Sequence, residues 1–365
     1  QRQMCIRDRG GFEGVDRKIL GENYMISTFK ISSRRYLGNK YKLLGWIKNI
    51  VDENCTDINS FFDVFSGTGS VASAFIDKRL VVCDMMRSNY YAALCWFSPE
   101  SIDYKKVEEL LCYYNSYDAS SEENYVSENF SETYFNRITC QKIGFIRENV
   151  ENLYKLGTIN AREHACIITS LFYAMDRISH TCGHYDSFIR DGKYEGCLEL
   201  RMPENRYVLN CENKIYCSDS NSIAHLEEVD VAYLDPPYNS RQYCDAYHLL
   251  ENIALWEKPE VHGVAKKMDR TDMKSKYCKS IKAAEALEDL VKKLRCRYIL
   301  FSYNNNGKKL QCRSNAKLTD EDIIRILSIR GDVQVFTMNY RGFDAGKSEL
   351  NKDNQERLFL CSVRK

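Results

Sequence analysis

The sequence predicts an α/β fold, in which a mostly parallel, doubly wound sheet is interrupted by a mainly helical insertion. Three observations support this prediction. Residues 60–84 have the pattern of a strand, a tight turn, a helix and a second strand, which is how such a sheet begins. Helical periodicity then replaces this alternation from about residue 90 to residue 210. Strand-like segments resume near residue 214 and continue almost to the C-terminus.

The first elements follow from the spacing of apolar residues. Residues 36–51 place apolar side chains three and four positions apart, which predicts a helix. Residues 60–65 form an apolar run typical of a buried strand, and residues 66–70 (Ser-Gly-Thr-Gly-Ser) predict a tight turn. We expect the next helix to begin at residues 71–76 and a second strand over residues 80–84.

The middle of the chain is too long to be a simple connection. Residues 140–156 and 164–175 are strongly amphipathic, and the helical region spans roughly 120 residues, whereas the loops of parallel α/β folds are a few residues long. We therefore predict an inserted helical subdomain over residues 90–212, and a sheet domain built from residues 25–89 and 213–365. We expect residues 1–24, which lack periodicity, to be a disordered or non-native extension.

Five further segments read as strands, and the final two are close enough in sequence to predict an antiparallel hairpin at the edge of the sheet. The segments are residues 214–217, 229–234, 297–303, 333–338 and 357–363.

Composition restricts the class of protein. The 16 cysteines contain no Cys-x-x-Cys pair, and the N-terminal residues contain no apolar core of a secretory signal. Because free thiols persist in a reducing compartment, we expect a cytoplasmic protein. No apolar run is long enough to cross a membrane, so no membrane association is expected.

The charge is balanced overall but unevenly placed. The 365 residues include 52 Lys and Arg against 51 Asp and Glu, a formal net charge of +1, which at first argues against a nucleic-acid partner. Residues 107–136, however, contain seven acidic and no basic side chains, and residues 265–297 contain eleven basic and five acidic ones. Either run can be an ordinary solvated helix face, but the second also leaves room for a local basic groove.

The tetrapeptide Asp235-Pro236-Pro237-Tyr238 follows a predicted strand, at the end where parallel sheets bind ligands. Two prolines fix the backbone, so the Pro236 carbonyl is held as an acceptor. This carbonyl and the Asp235 carboxylate can bind both hydrogens of an exocyclic amine, whose nitrogen can then attack a sulfonium methyl group. Tyr238 offers a ring on which a flipped base can stack. The alternative is a stiff loop with a buried aromatic side chain.

Two other features suit a nucleotide-like cofactor. Gly67 and Gly69 allow close backbone approach at the start of a helix, although Gly-x-Gly alone is more often a plain turn. Asp84 ends a predicted strand and can accept both hydroxyls of a ribose, while a helix cap is the alternative reading.

These segments together resemble the D12 class of DNA adenine methyltransferases. The resemblance includes Asp235-Pro236-Pro237-Tyr238 with residues 238–243 and 247–251, and four segments in the same order: Tyr36-Leu-Gly-Asn-Lys40, residues 63–70, Asp84, and Ser218-Asp219. Asn39 stands where the family usually has glycine. The resemblance covers residues 35–363 and implies a Rossmann-like S-adenosylmethionine-dependent methyltransferase sheet, with residues 90–212 as a target-recognition subdomain.

The resemblance also implies the site and the activity. Asp235, Pro236, Pro237 and Tyr238 would be catalytic, and the product would be N6-methyladenine in double-stranded DNA. The implied role is the modification part of a restriction-modification system, with a possible cognate restriction endonuclease as partner. The residues implied to bind S-adenosylmethionine are Tyr36, Gly38, Lys40, Asp63, Phe65, Gly67, Gly69, Ser70, Asp84 and Asp219.

DNA contacts need groove-reading and phosphate-binding side chains, although an exposed arginine is more often only solvated. Residues 302–304, which end a later strand, are expected to line the floor of the target pocket. The candidates for DNA binding are Arg177, His184 and Tyr185 in the insertion, Arg241, Gln242 and Tyr243 after the tetrapeptide, and Lys267 and Arg270 in the basic run.

One histidine cluster raises the possibility of a metal site. His180 and His184 are four residues apart, with His164 upstream, but Gly183 disfavours a helix between them and no further paired ligand is suitably spaced. We expect a loop of the inserted subdomain here and no metal.

Two alternatives to DNA methylation remain at this point. The chain can be an amino methyltransferase for RNA or a protein glutamine, since those enzymes use similar tetrapeptides. It can also be a catalytically silent, sequence-specific DNA-binding relative. No proline precedes an aspartate, so the common Pro-Asp nuclease motif is absent and DNA cleavage is not expected.

Overall fold

A computed structural model describes residues 26–31, 34, 36–237, 241–304, 318–339 and 355–364. The expected N-terminal extension, residues 1–24, lies outside these residues. The described strands are β1 (Thr28–Phe29), β2 (Ser60–Asp63), β3 (Arg79–Asp84), β4 (Thr181–His184), β5 (Ser187–Phe188), β6 (Met202–Pro203), β7 (Lys214–Cys217), β8 (Glu228–Leu234), β9 (Arg295–Asn304), β10 (Gly331–Asn339) and β11 (Gln355–Val363).

The described helices include three short 3-10 turns, at Tyr41–Leu43, Thr271–Met273 and Lys276–Cys278. The α-helices are α1 (Leu44–Asn54), α2 (Ser70–Ser73), α3 (Arg87–Phe97), α4 (Tyr104–Ser116), α5 (Tyr125–Phe130), α6 (Arg137–Lys155), α7 (Ala161–Ile178), α8 (Ser220–Ile223), α9 (Tyr243–Ala246), α10 (His248–Leu255), α11 (Ser280–Lys293) and α12 (Asp320–Leu327).

Within the described residues, seven strands form the central sheet, in the order β7-β3-β2-β8-β9-β11-β10. The first five are mutually parallel, whereas β11 runs antiparallel between β9 and β10. This arrangement confirms the predicted parallel sheet with an antiparallel hairpin at its edge. The chain moves from β2 outward to β3 and β7 and then returns to β8 on the other side, so a crevice is expected at the carboxyl ends of β2 and β8.

Two helices differ from the sequence-based expectation. The helix predicted from residue 36 begins only with the 3-10 turn at Tyr41, because Gly38 has a positive φ of 74° and residues 36–40 form a turn instead. The helix predicted at residues 71–76 is α2, a single turn that ends at Ser73.

Both faces of the sheet are covered, and side chains alternate between them along each strand. Phe61 of β2 belongs to the core of the first face, which includes α1, α3, α4–α7 and α10. Phe62 belongs to the core of the second face, which includes α8, α11 and α12. The helices of residues 104–178 therefore share one continuous core with α1 and α3, while the boundaries of an inserted subdomain at residues 90 and 212 stay a prediction.

No helix in the described part of the chain is both long and apolar enough to cross a membrane. No disulfide bond joins the cysteines of the described residues.

Candidate active site

A cavity of about 290 Å³ lies at the carboxyl ends of β2, β3, β7 and β8. It is lined by nine of the ten residues predicted to bind the cofactor, and only Gly69 of that set is not in its wall. Asp235 and Pro237 line the same cavity, as do Gln242 and Tyr243. The tetrapeptide and the glycine-containing turn, which lie about 170 residues apart in sequence, therefore face one space.

The turn after β2 is fixed by Asp84 at the end of β3. The Asp84 carboxylate accepts hydrogen bonds from the backbone N–H groups of Gly67 and Met86, each at 2.8 Å. Gly67 has a positive φ of 51°, and a Cβ atom there would lie 3.2 Å from the Tyr36 ring. The contact between turn and ring thus depends on glycine. Burial raises the pKa of Asp84, although these hydrogen bonds oppose the shift.

Asp63, the last residue of β2, is almost fully buried beneath the turn. Its Oδ2 accepts a hydrogen bond from the backbone N–H of Ala72 in α2 at 3.1 Å. Burial raises the pKa of Asp63 to about 8; the Ala72 hydrogen bond opposes this rise and the neighbouring charges of Asp235 and Asp84 increase it. Asp63 is therefore largely neutral at pH 7.

Tyr36, which packs against Gly67, lies in a stack of aromatic rings. Its ring is 4.6 Å from that of Tyr247 and 5.3 Å from that of Tyr243. The Tyr247 hydroxyl accepts from the backbone N–H of Leu37 at 2.7 Å, and the Tyr243 hydroxyl donates to the Leu37 carbonyl at 3.0 Å. Asn89 of α3 donates to the Tyr36 hydroxyl at 2.9 Å. The segment after the tetrapeptide therefore holds the turn of residues 36–40.

An ion pair that no sequence pattern predicted lies beside this stack. The Arg34 guanidinium lies over the Tyr36 ring, 5.4 Å from its centroid, and its Nε is 3.0 Å from Oδ2 of Asp176 in α7. The Tyr185 hydroxyl donates to Oδ1 of the same aspartate at 2.9 Å. Tyr185 thus belongs to a buried network that connects α7 with Arg34, just before the turn of residues 36–40.

The central contact of the cavity joins Lys40 and Asp235. Lys40 Nζ lies 3.0 Å from Asp235 Oδ2, and the two side chains are only 5% and 16% exposed. Oδ1 of Asp235 is buried and has no hydrogen-bond partner within the described residues. Burial raises the pKa of Asp235, while the adjacent ammonium group opposes this rise. The carboxylate is thus held by one oxygen, and its other oxygen can accept a hydrogen bond from a ligand.

Of the remaining tetrapeptide residues, Pro236 is buried and Pro237 lies at the cavity wall. Tyr238 lies outside the described residues, so its predicted stacking role stays a prediction.

Comparison with known proteins identifies the family. The profile of D12 class N6 adenine-specific DNA methyltransferases matches residues 36–309. The chain belongs to this family. The resemblance and the methyltransferase fold that the sequence predicted are therefore confirmed.

Individual relatives show the same relationship. Modification methylase StsI of Streptococcus sanguinis is 29% identical over 89% of this chain and 51% of its own length. Type II methyltransferase M.FokI of Planomicrobium okeanokoites is 30% identical over 89% of this chain and 52% of its own length. Type II methyltransferase M.NlaIII of Neisseria lactamica is 28% identical over 86% of this chain and 93% of its own length. The chain thus spans about half the length of the first two relatives.

Asn39, which stands where the resemblance predicts a glycine, has a role in this chain. Its side-chain carbonyl accepts hydrogen bonds from the Ser70 hydroxyl at 3.0 Å and from the backbone N–H of Tyr41 at 2.9 Å. The substitution therefore ties the turn of residues 36–40 to the first residue of α2.

Asp219, the predicted contact for the cofactor adenine, caps α8 by accepting from the backbone N–H of Asn221 at 3.1 Å. Its Oδ2 is 3.3 Å from Lys276 Nζ. Tyr277 meets the Phe65 ring edge to face at 5.1 Å. Residues 272–277, at the start of the basic run, therefore form one wall of the cavity, which the sequence did not indicate.

Some of the predicted DNA-binding residues lie together and others do not. Arg241 contacts His184 of β4, and Lys267 contacts Asp186 next to β5. Both Arg241 and Lys267 lower the pKa of His184, after burial as the largest cause. These residues form a basic cluster, which we define as His184, Arg241 and Lys267.

The remaining DNA-binding candidates have other contacts. Gln242 exchanges two hydrogen bonds with the backbone of Ser275, at 2.8 and 3.2 Å. Arg270 pairs with Asp245 at 2.8 Å, and Arg177 donates to the Glu199 carbonyl at 2.5 Å. Tyr243 lies in the ring stack, and Tyr185 donates a hydrogen bond to Asp176. A role in DNA binding stays a prediction for all five residues: Gln242, Arg270, Arg177, Tyr243 and Tyr185.

The histidine cluster has ordinary partners. His180 lies 2.6 Å from Asp191, and His164 lies 3.5 Å from Glu151. No group of three or more His, Cys, Asp or Glu side chains in the described ranges is arranged to hold a metal ion.

Proposed function

We propose that this D12 protein transfers the methyl group of S-adenosylmethionine to the N6 amine of an adenine in double-stranded DNA. The observation that carries the proposal is Asp235, which Lys40 holds by one carboxylate oxygen while the other is buried in the cavity wall without a partner in the described residues. An amine hydrogen is the natural donor to that oxygen.

The cavity residues suit S-adenosylmethionine, which when bound supplies an electrophilic methyl group on a sulfonium. Asp84 would accept the ribose hydroxyls and Asp219 the amine of the cofactor adenine. Gly67 allows the turn to lie against the Tyr36 ring, since a Cβ atom there would be 3.2 Å from that ring. The nearby Asp84 carboxylate favours a cationic ligand.

The residues of this chain would prepare the amine. The Asp235 carboxylate and the Pro236 carbonyl accept the two N6 hydrogens and so favour a nucleophilic nitrogen. As the N–C bond forms, the nitrogen must lose a proton, and the Asp235 carboxylate is the base at that place. Burial raises the pKa of this carboxyl, which makes it a stronger base. Because the amine lies inside the duplex, the adenine must be flipped out, and Tyr238 is the proposed stacking partner.

The DNA is proposed to contact the basic cluster of His184, Arg241 and Lys267, which joins β4 to the segments that follow Pro237. Residues 90–212 are proposed as the target-recognition subdomain. Because relatives are named modification methylases, we place the activity in a restriction-modification system, where a cognate endonuclease would recognise the same site.

The test is to incubate the purified chain with S-adenosylmethionine labelled on the methyl group and with duplex DNA, RNA or protein. We expect label in DNA only, and sequencing of methylated adenines should show one recognition site. Label in RNA or protein alone would contradict the proposal. Sequence-specific DNA binding without transfer would instead favour the silent relative.

A further inference from the structure

Glu356, the second residue of β11, lies beyond the family match and was not among the predicted site residues. In the sheet register Glu356 is opposite Asn304 of β9, and Leu234 of β8 is opposite Phe301 of β9. Asp235 and Glu356 therefore lie at the same end of the sheet, about 10 Å apart across two strand spacings and offset by two residues, roughly 7 Å, along the strands.

The two carboxyl groups also belong to the same face of the sheet. Tyr233 and Leu300 are paired and both belong to the first-face core, as does Leu358, which is opposite Ser302. Because side chains alternate along a strand, Asp235 and Glu356, each two residues from a member of that core, fall on the same side. Ser302 and Asn304 lie between them in this row.

The Glu356 side chain is buried and incompletely satisfied. The residue is 5% exposed, and Oε2 is buried with no hydrogen-bond partner in the described residues. The charged groups that act on it are Lys40 from the turn of residues 36–40, Asp235 after β8, and Arg357 from its own strand. A buried polar atom without a partner is costly and uncommon in a folded protein, so a ligand is the natural partner.

We propose that Glu356 is a contact for the target base: its carboxyl group hydrogen-bonds a ring nitrogen of the adenine whose amine is presented to Asp235. This inference rests on the proposed function and assigns the residue a part in base recognition. A flipped adenine brings three ring acceptors, N1, N3 and N7, into a space that excludes water, and each acceptor left unsatisfied weakens binding.

A carboxyl group can donate to a ring nitrogen only in its protonated form. Burial raises the pKa of Glu356, Lys40 and Arg357 oppose this rise, and the charge of Asp235 increases it. A bound base removes further water and stabilises the protonated form. Binding of the target base should therefore be coupled to uptake of one proton by Glu356.

The test combines protein variants with altered bases. Wild-type protein, Glu356→Gln and Glu356→Leu are assayed on duplexes whose target adenine is replaced by 1-deaza-, 3-deaza- or 7-deazaadenine, each of which lacks one ring nitrogen and keeps the amine. Glu228→Leu, an exposed glutamate at the opposite edge of the sheet, is the matched control. Thermal unfolding of each variant checks that the fold is retained.

We expect wild-type protein to bind one of the three deazaadenine duplexes about tenfold or more weakly, mainly as a rise in Kd and KM. Glu356→Leu should bind every duplex with the weaker affinity that wild type shows for that analogue. Replacing adenine by the same analogue should not weaken its binding further. Glu356→Gln, which keeps a donor, should bind nearly as wild type. In wild-type protein, proton uptake by Glu356 should make Kd change with pH by up to tenfold per pH unit. In Glu356→Gln this part of the pH dependence should be absent.

The proposal is overturned if Glu356→Leu responds to all three analogues as wild type does, or if the glutamine variant keeps the full pH dependence. These binding measurements need no methyl transfer. Wild-type protein that binds the adenine duplex specifically but transfers no methyl group would overturn the proposed activity and leave the test of Glu356 intact.

Discussion

Strand β8 has an aspartate near each end, and the two differ in almost every respect. Asp230, near the amino end, accepts hydrogen bonds from the backbone of Asn59 and Ser60 and from the Ser60 hydroxyl, and pairs with Arg297 at 3.1 Å. Burial acts to raise its pKa, but these bonds hold it below the ordinary value. Asp235 has one ammonium partner and one oxygen without a partner in the described residues, and burial raises its pKa.

The same contrast holds between the two ends of the sheet, where the parallel strands begin and where they finish. At the amino edge, exposed acids pair with arginines, as in Glu228 with Arg295 and Asp332 with Arg364. At the carboxyl ends of the parallel strands, Asp63, Asp84 and Asp235 line the cavity, and Glu356 lies at the same end of the sheet. Burial raises the pKa of all four carboxyl groups. The acids at the amino ends of the parallel strands are already paired within the protein. Those at the carboxyl ends keep the capacity to bind a ligand.

The largest difference is expected from removing Asp230 and Asp235 in turn. Asp235→Ala should lower kcat for DNA methylation by about 10²–10³-fold or more, because the amine loses an acceptor. Asp230→Ala should leave kcat and KM unchanged but lower the free energy of unfolding by about 1–3 kcal/mol, since two backbone N–H groups lose their acceptor. Similar losses of activity in both variants would contradict the comparison.

Removing the counter-ion of Asp235 should move the pH profile. In Lys40→Met, the pKa of Asp235 should rise further, because the cation that favours its ionised form is lost. The acidic limb of kcat/KM against pH should therefore shift upward, with lower activity near pH 7. Lys42→Met, an exposed lysine two residues away, serves as control. An unshifted limb in Lys40→Met would show that the ion pair does not set the ionisation of Asp235.

Asp63 and Asp230 should affect stability with opposite signs. The pKa of Asp63 is raised to about 8, so between about pH 4 and pH 8 the folded state retains a proton that the unfolded state releases. Wild-type stability should then fall with rising pH, by at most about 1.4 kcal/mol per pH unit from this group. Asp63→Asn should reduce this fall, measured by urea unfolding from pH 5 to pH 8.

Asp230→Asn provides the comparison in the same experiment. The depressed pKa of Asp230 stabilises the folded state above the unfolded-state pKa, so this variant should be less stable at pH 7 and approach wild type as the pH falls. Parallel stability curves for wild type and Asp63→Asn would show that Asp63 is ionised throughout this range.

The smallest effect is expected at the amino edge. Glu228 and Arg295 form a pair whose side chains are 76% and 58% exposed. Glu228→Gln should change the free energy of unfolding by about 0.5 kcal/mol or less and leave kcat/KM unchanged. A change above about 1 kcal/mol in urea unfolding would mean that this edge depends on its ion pairs more than their exposure indicates.

The sequence predicted the strands and most of the cavity wall well, because each motif follows directly from a strand whose apolar pattern is clear. Asp63, Asp84, Asp219 and Asp235 had to meet once β2, β3, β7 and β8 were parallel neighbours. The predicted start of the first helix was wrong, because the side chains of residues 243 and 247 hold residues 36–40 in a turn.

Other parts of the site depend on contacts that no local pattern records. Arg34 meets Asp176 only after α7 has packed on the first face. Glu356 lies at the same end of the sheet as Asp235 only because β11 runs antiparallel beside β9. A single arginine or glutamate cannot be assigned to a site from the sequence, because its partners are known only once the fold is known.

The Arg34–Asp176 pair limits how members of this family can be recombined. Arg34 is buried, and its two terminal nitrogens have no hydrogen-bond partner within the described residues, so Asp176 is the counter-ion that its charge requires there. A chimera that imports the helices of residues 104–178 from a relative must also import a carboxylate at this position. Without that carboxylate, exchanging the helices, which are proposed to choose the DNA site, would also disturb the turn of residues 36–40. That turn is proposed to hold the methyl donor.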